Sequence, residues 1–168
     1  MDDLMKSALA AGTYVAVTDG SCQPNPGPGG CAYRLHKPDG TAPVEASNQS
    51  LDTTNNIAEM QAVINALKAT PEGVRVLIFL DSEYVKNGCE KDMARWAQNG
   101  WKTTKGKGVK NREKWETIAN LMVTRDVAFQ EVAAHSRDPE HERVDQLAKE
   151  AAERASRRRA KLMRDAGE

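Results

Sequence analysis

The apolar positions change period along the chain. YVAVTDG (14–20) is a short apolar run that ends in Asp and Gly, and QPNPGPGG (23–30) is a dense turn signal. CAYRLH (31–36) and a weaker APVEASNQS (42–50) follow, with Pro38-Asp39-Gly40 as a hairpin turn between them. Three strands joined by short turns predict an antiparallel meander. From Asn55 to Thr70 the period is helical, with Ile57, Met60, Ile64 and Leu67 on one face and Pro71 and Gly73 ending the helix. VRVLIFL (74–80) is a nearly unbroken apolar run, the pattern of a strand covered on both faces. EYVKNG (83–88) and EKDMARWAQNG (90–100) read as two short helices, each closed by Gly. WKTTKGKGVK (101–110) reads as a loop. NREKWETIANLMV (111–123) reads as a helix capped by Asn111, with Trp115, Ile118, Leu121 and Met122 inward. VAFQEVAA (127–134) is the fifth strand, and Pro139 opens a last helix. The order βββ-α-β-ααα-β-α predicts an α/β mixed sheet with helices packed on it.

The 168-residue length fits one domain, and 39% hydrophobic with 29% charged residues suffices for a core. No apolar run approaches the roughly 18 residues of a membrane span. MDDLMKSALAAG, with two acids before its only Lys, does not read as a secretory leader. Cys22, Cys31 and Cys89 have no metal-type spacing and read as three reduced thiols, so the expected location is the cytoplasm. The formal net charge of zero argues against a polyanion binder only until its distribution is considered. Residues 1–59 carry seven acids against three bases, and residues 86–116 carry nine bases against four acids. Residues 151–165 add six bases against two acids.

Asp19 and Asp81 each end an apolar strand. Two readings stand. Each carboxylate caps the turn or helix that follows, or both emerge together at one end of the sheet, where ligand sites in open sheets lie. Glu59 stands three residues after Asn56, as in a capping box. It also shares a helical stripe with Ala62, Val63 and Ala66, which suits packing against protein. Asp145 is either a surface helix acid or a fourth member of the group. Four converging acids would repel one another without a counter-charge. Hard oxygen ligands select Mg²⁺ or Mn²⁺ over Zn²⁺, and a pair of such ions suits phosphodiester chemistry. Spacing alone does not establish the convergence.

Five blocks, in order, resemble the ribonuclease H family, type-one branch: TDGSCQPNPGPGG (18–30), TTNNIAEM (53–60), LDSEYV (80–85), WAQNGWKT (96–103) with GVKN (108–111), and HSRDPEHERVDQLA (135–148). The resemblance covers about residues 13–150. It implies a five-stranded mixed sheet, three antiparallel strands then two parallel, with flanking helices. It also implies an endonuclease that hydrolyses the RNA strand of RNA–DNA hybrids with two Mg²⁺ ions (Mn²⁺ as substitute), acting as a monomer. By the same resemblance Asp19, Glu59, Asp81 and Asp145 are metal-binding acids. His135 assists proton transfer or product release from a mobile loop. Gly20, Cys22, Asn25, Asn55, Asn56 and Ser82 line the hybrid's minor groove and read ribose 2′-hydroxyls. Trp96, Trp101, Lys102, Lys107, Lys110 and Asn111 form a protrusion that holds the DNA strand's phosphates. The implied division is an N-terminal extension (1–12), a catalytic domain (13–150) and a basic helical tail (151–168). Core packing of the last helix is expected to be complete at Leu147 and Ala148.

The chain departs from the family pattern in three places. Glu83 stands where Gln is usual, and an ionised carboxylate there repels phosphate. Ala97, Gln98 and Asn99 stand where close relatives carry basic residues, which predicts weaker phosphate affinity. Ala134 and Arg137 replace glycines around His135, and His141 replaces a usual Asn, while Asp138, Glu140 and Glu142 are expected to favour a charged His135. Two other readings compete with the nuclease. A non-catalytic nucleic-acid-binding module gains nothing from carboxylates that face phosphate. A DNA-strand-transfer enzyme of related fold lacks here its extra recognition domains.

Overall fold

A computed structural model describes residues 1–134 and 136–167. The order of elements is α1 (Asp2–Ala10), β1 (Tyr14–Cys22), β2 (Gly27–His36), β3 (Val44–Thr53), α2 (Asn55–Lys68), β4 (Arg75–Leu80), α3 (Glu83–Asn87), α4 (Met93–Gln98), α5 (Arg112–Val123), β5 (Asp126–Glu131) and α6 (Pro139–Ala166). The strands form one sheet in the order β3-β2-β1-β4-β5. β1, β2 and β3 pair antiparallel, and β1–β4 and β4–β5 pair parallel. The expected five-stranded mixed sheet is therefore the observed one.

Alternation along the central strands builds two cores. Ala16, Val76, Ile78 and Leu80 face α2 and α5, against Met60, Ile64, Leu67, Trp115 and Ile118. Val15, Val17 and Phe79 face the other way, with Met5 of α1 and Val144 and Ala148 of α6. This two-sided burial is why the β4 sequence is continuously apolar. β3 is an edge strand and mostly polar, which gave it the weakest sequence signal and discourages pairing with other chains.

Several boundaries differ from the sequence reading. The segment 1–12, expected as an extension, contains α1, whose Met5 is 5% exposed and belongs to the second core. β2 begins at Gly27, inside the expected turn, and β5 ends at Glu131. α3 and α4 are joined by a π-helical turn over Gly88–Asp92, so Gly88 closes no helix. Its backbone is right-handed helical, and a Cβ there would collide with the Trp115 ring. Gly88 is a packing glycine. Asn111 does precede α5, in a left-handed conformation, but its amide donates to Tyr84 Oη (3.0 Å) and caps nothing.

The last helix packs further than expected. Ala151 and Ala155 are fully buried, and a Cβ on Gly30 of β2 would meet Ala151 Cβ at 2.6 Å. Arg154 donates to Ser47 of β3 at 3.2 Å. Packing on the sheet thus continues for about two turns beyond Ala148, because small residues on both sides let the helix approach the strands closely. Only the part after Ala155 is mainly exposed.

Candidate active site

The register brings the two strand carboxylates together. Val17 pairs with Phe79 in the last parallel rung between β1 and β4, so Asp19 and Asp81 follow two residues later along the two adjacent strands. Asp19 does not end its strand: β1 continues to Cys22, paired only with β2. The β4 chain turns away after Leu80, where Ser82 caps α3 by accepting from Val85 N (3.2 Å). The sheet therefore opens beside Asp19, and both carboxylates stand in the opening.

Glu59 comes from α2. The cap of that helix is Thr54, whose Oγ1 accepts from Ile57 N (3.1 Å), so the expected capping box on Asn56 does not form. The Glu59 carboxylate is left for the site. Gly20 allows the approach, because a Cβ there would lie 2.6 Å from Ala58 C and Glu59 N. Asp145 of α6 lines the same cavity of about 710 Å³ together with Asp19, Glu59 and Asp81. It also pairs with Lys149 at 2.8 Å, on the open side of the group.

Sequence reasoning passed over His141. It lies one turn before Asp145 and is 3% exposed. Its Nε2 is 3.4 Å from Asp81 Oδ2 and 3.9 Å from Asp19 Oδ2. Two sequence signals marked it: its place where the resembling family has Asn, and its helical spacing from Val144 and Ala148 on the buried face of α6. The electrostatics follow from crowding. Asp19 is pushed up to about 7, first by burial and then by the Asp81 charge. Glu59 is raised well above the ordinary carboxylate range by burial, then by Asp19 and Asp81. His141 is raised, chiefly by its contact with Asp81. In this site Glu59 Oε2 and His141 Nε2 are buried without a hydrogen bond to any described residue, although Nε2 keeps its ion-pair approach to Asp81. Repelling carboxylates, a buried carboxylate oxygen without a hydrogen bond and an open side fit a divalent cation.

The remaining predicted residues fall into two groups. Gly20, Cys22 and Asn55 line the cavity with the acids. Asn25 Oδ1 accepts from Asn55 N (3.2 Å), tying the β1–β2 turn to the start of α2, where Asn56 follows. Cys22 is 1% exposed, and its thiol lies against the carbonyls of Pro24, Gly27 and Thr53, so a contact from this residue would come from its backbone. All three cysteines are free and buried. Burial pushes Cys31 up to about 11 and Cys89 up to about 12, which leaves both as inert thiols.

The second group forms a small protrusion after α4. Trp101 N donates to Trp96 O (2.7 Å), and Lys102 bridges Gly108 in an antiparallel pair, so the expected loop is a short hairpin. Lys102, Lys107 and Lys110 are exposed. Trp96 is half-buried against Trp115, with ring centroids 5.6 Å apart. Glu83 is exposed in the first turn of α3.

His135 lies outside the described residues. Two of the acids expected to favour its charge are engaged elsewhere: Asp138 caps α6 by accepting from Glu140 N (2.9 Å), and Glu140 contacts His36 (2.9 Å) and Arg34 (3.0 Å). These contacts hold Glu140 below the ordinary carboxylate range, His36 first. With Glu45 bridging Arg34 and Arg143, they fasten the first turn of α6, and with it His141, to β2 and β3.

The family model described as RNase H matches residues 12–153. A ribonuclease H of Nitratidesulfovibrio vulgaris (strain DP4) is 46% identical over 138 residues, covering 82% of this chain and 87% of that protein. The crystal structure of LC9-RNase H1, described as a type 1 RNase H with the type 2 active-site motif, superposes with a TM-score of 0.72 at 27% identity, covering 83% of this chain and 72% of that one. LC11-RNase H1 in complex with RNA/DNA hybrid gives a TM-score of 0.62 at 26% identity, covering 85% of this chain and 99% of that one.

Proposed function

This chain belongs to the ribonuclease H family, type-one branch, and on that premise we propose that it hydrolyses the RNA strand of RNA–DNA hybrids, leaving 5′-phosphate and 3′-hydroxyl ends. The observation that carries the reading is the convergence of Asp19, Glu59, Asp81 and Asp145 on one cavity, with Glu59 Oε2 orphaned inside it. A binding module would gain only repulsion from carboxylates facing phosphate. The four acids would hold two divalent ions, Mg²⁺ or Mn²⁺, which supply an acidified water and neutralise charge on the leaving oxygen.

The chain's own groups do the rest. Asp19 and Glu59, held in place by the close approach at Gly20, set the deep wall of the site. Asp145, on the open side, meets the scissile phosphate region. His135 carries a proton or speeds product departure. Gly20, Asn25, Asn55, Asn56 and Ser82 would meet the minor groove, where a 2′-hydroxyl distinguishes RNA from DNA. Exposed Lys102, Lys107 and Lys110, with Trp96, Trp101 and Asn111, would hold the DNA strand. No helix among the described residues is long and apolar enough to cross a membrane; a cytoplasmic monomer is the reading we adopt.

Labelled RNA–DNA hybrid, duplex DNA and duplex RNA, each with and without Mg²⁺, test the proposal. Metal-dependent cleavage of the hybrid's RNA strand alone is expected. Hybrid binding without cleavage would return the chain to the binding-module reading.

A further inference from the structure

The acids alone do not account for the deepest part of the cavity. His141 lines it beside Asp19, and both residues are only 3% exposed. Its Nε2 has no hydrogen-bond partner, since the 3.4 Å approach to Asp81 Oδ2 is too poorly directed to be a hydrogen bond. Its contacts with the two aspartates are ion-pair approaches without a hydrogen bond, which a cation shared by the three groups would replace. Carboxylate oxygens of Asp19 and Asp81 and a ring nitrogen of His141 all lie within 4.8 Å of one another.

Those separations suit a shared ion. Ligand atoms about 2.1 Å from one cation lie about 3.0 Å apart at right angles and about 4.2 Å apart across it. The Nε2 distances of 3.4 and 3.9 Å fall between these limits. The backbone that carries the ring is also fixed. His141 sits in the first turn of α6, between the Asp138 cap and Arg143, whose guanidinium holds Glu45 at 2.7 Å. These contacts hold the turn that carries the ring against β2 and β3.

We propose that His141 Nε2 is a metal ligand beside Asp19 and Asp81, and that this nitrogen makes one ion position favour first-row transition ions, Mn²⁺ foremost, over Mg²⁺. The inference rests on the assignment of divalent ions to this cavity. The physical reason is ligand hardness. Mg²⁺ demands oxygen and releases water reluctantly, whereas imidazole binds transition ions well. An Asn at this position, as in the resembling family, would offer only oxygen. The histidine thus changes which ion the same carboxylates hold.

The test uses the full chain stripped of metal and no nucleic acid. Mn²⁺ and Mg²⁺ affinities are measured by calorimetry for wild type, His141→Asn and His141→Gln, with folding checked by circular dichroism. Pulsed electron paramagnetic resonance of bound Mn²⁺ is recorded on wild type with ¹⁴N- and ¹⁵N-histidine. Expected are a histidine nitrogen coupling in wild type and, in both variants, a Mn²⁺ affinity about 10-fold or more lower with Mg²⁺ affinity within about 2-fold. Absence of the coupling in wild type overturns the proposal without need of a variant, and so do equal losses for both ions. Hybrid cleavage by wild type in Mg²⁺ is scored separately. A nitrogen-coupled Mn²⁺ in a protein that cleaves no hybrid would sink the proposed function and leave the ligand assignment standing.

Discussion

Asp19 concentrates the electrostatics of the site at one residue. Its carboxyl is raised to about 7 in the fold against about 3.9 in an unfolded chain. The folded state therefore binds the extra proton between these values, and stability falls as pH rises from about 4 to about 7. Glu59, Asp81, Asp145 and His141 all face it, and raised values at Glu59 and His141 act in the same direction. We expect chelator-treated protein to melt at a higher temperature at pH 5 than at pH 7.5, and Asp19→Asn to remove much of that difference; a flat profile in wild type would contradict it. Asn keeps the oxygen that accepts from Gly20 N at 2.9 Å, so the fold has no other reason to suffer. Asp81→Asn is expected to abolish hybrid cleavage, with hybrid binding in Ca²⁺ or without metal retained; binding lost in a folded variant would assign Asp81 to substrate instead. At this scale Asp19, Glu59 and Asp81 were candidates from the sequence, although each alone was as readily a cap. His141 was not, although its spacing of three and seven residues from Val144 and Ala148 puts it on the buried stripe of α6.

Among the elements, α6 departs most from expectation. The expected end of packing at Ala148 assumed that Ala and charge beyond it have little to bury. Ala151 and Ala155 are nevertheless fully buried, because Gly30 lets the helix lie against β2. At about 0.8 kcal/mol per buried methyl-sized group, truncation after Glu150 should cost about 1–2 kcal/mol, roughly 2–8 °C in melting temperature for a chain of this size. Truncation after Arg159 should leave the melting temperature unchanged. Equal melting of both truncations and the full chain would show that the contacts beyond Ala148 contribute nothing. Gly88 is a second case of shape over propensity. Gly88→Ala must displace Trp115, itself packed between Tyr84 and Trp96, and should cost about 1–3 kcal/mol as overpacking in thermal or urea unfolding. A neutral or stabilising result would mean that the π-helical turn relaxes around the new methyl group.

Charge is divided across the whole molecule. The acids gather at the opened sheet, while exposed Lys102, Lys107 and Lys110 stand on the hairpin. Each lysine that meets a phosphate should contribute about 0.7–0.9 to the slope of log affinity against log salt. Salt titrations of hybrid binding by Lys107→Ala and Lys110→Ala measure this, and slopes identical to wild type in both would remove the hairpin from the binding surface. The zero net charge of the chain predicts neither group, since opposite charges cancel in a sum and not in space. The sequence alone determined most of the elements from β1 onward and much of the sheet, because periodicity and turn residues report local geometry and one-sided burial. It also supplied, through five ordered blocks, the family to which the site belongs. It left open whether Asp19 and Asp81 meet, which follows from strand register, and whether Glu59 is free, which follows from Thr54 taking the cap. It also left open that α1 joins the core, that α6 docks as far as Ala155 and that an imidazole stands among the acids. Those facts depend on contacts between residues far apart in the chain; near neighbours mark only the buried stripe of α6, His141 to Ala155, and not what it packs against.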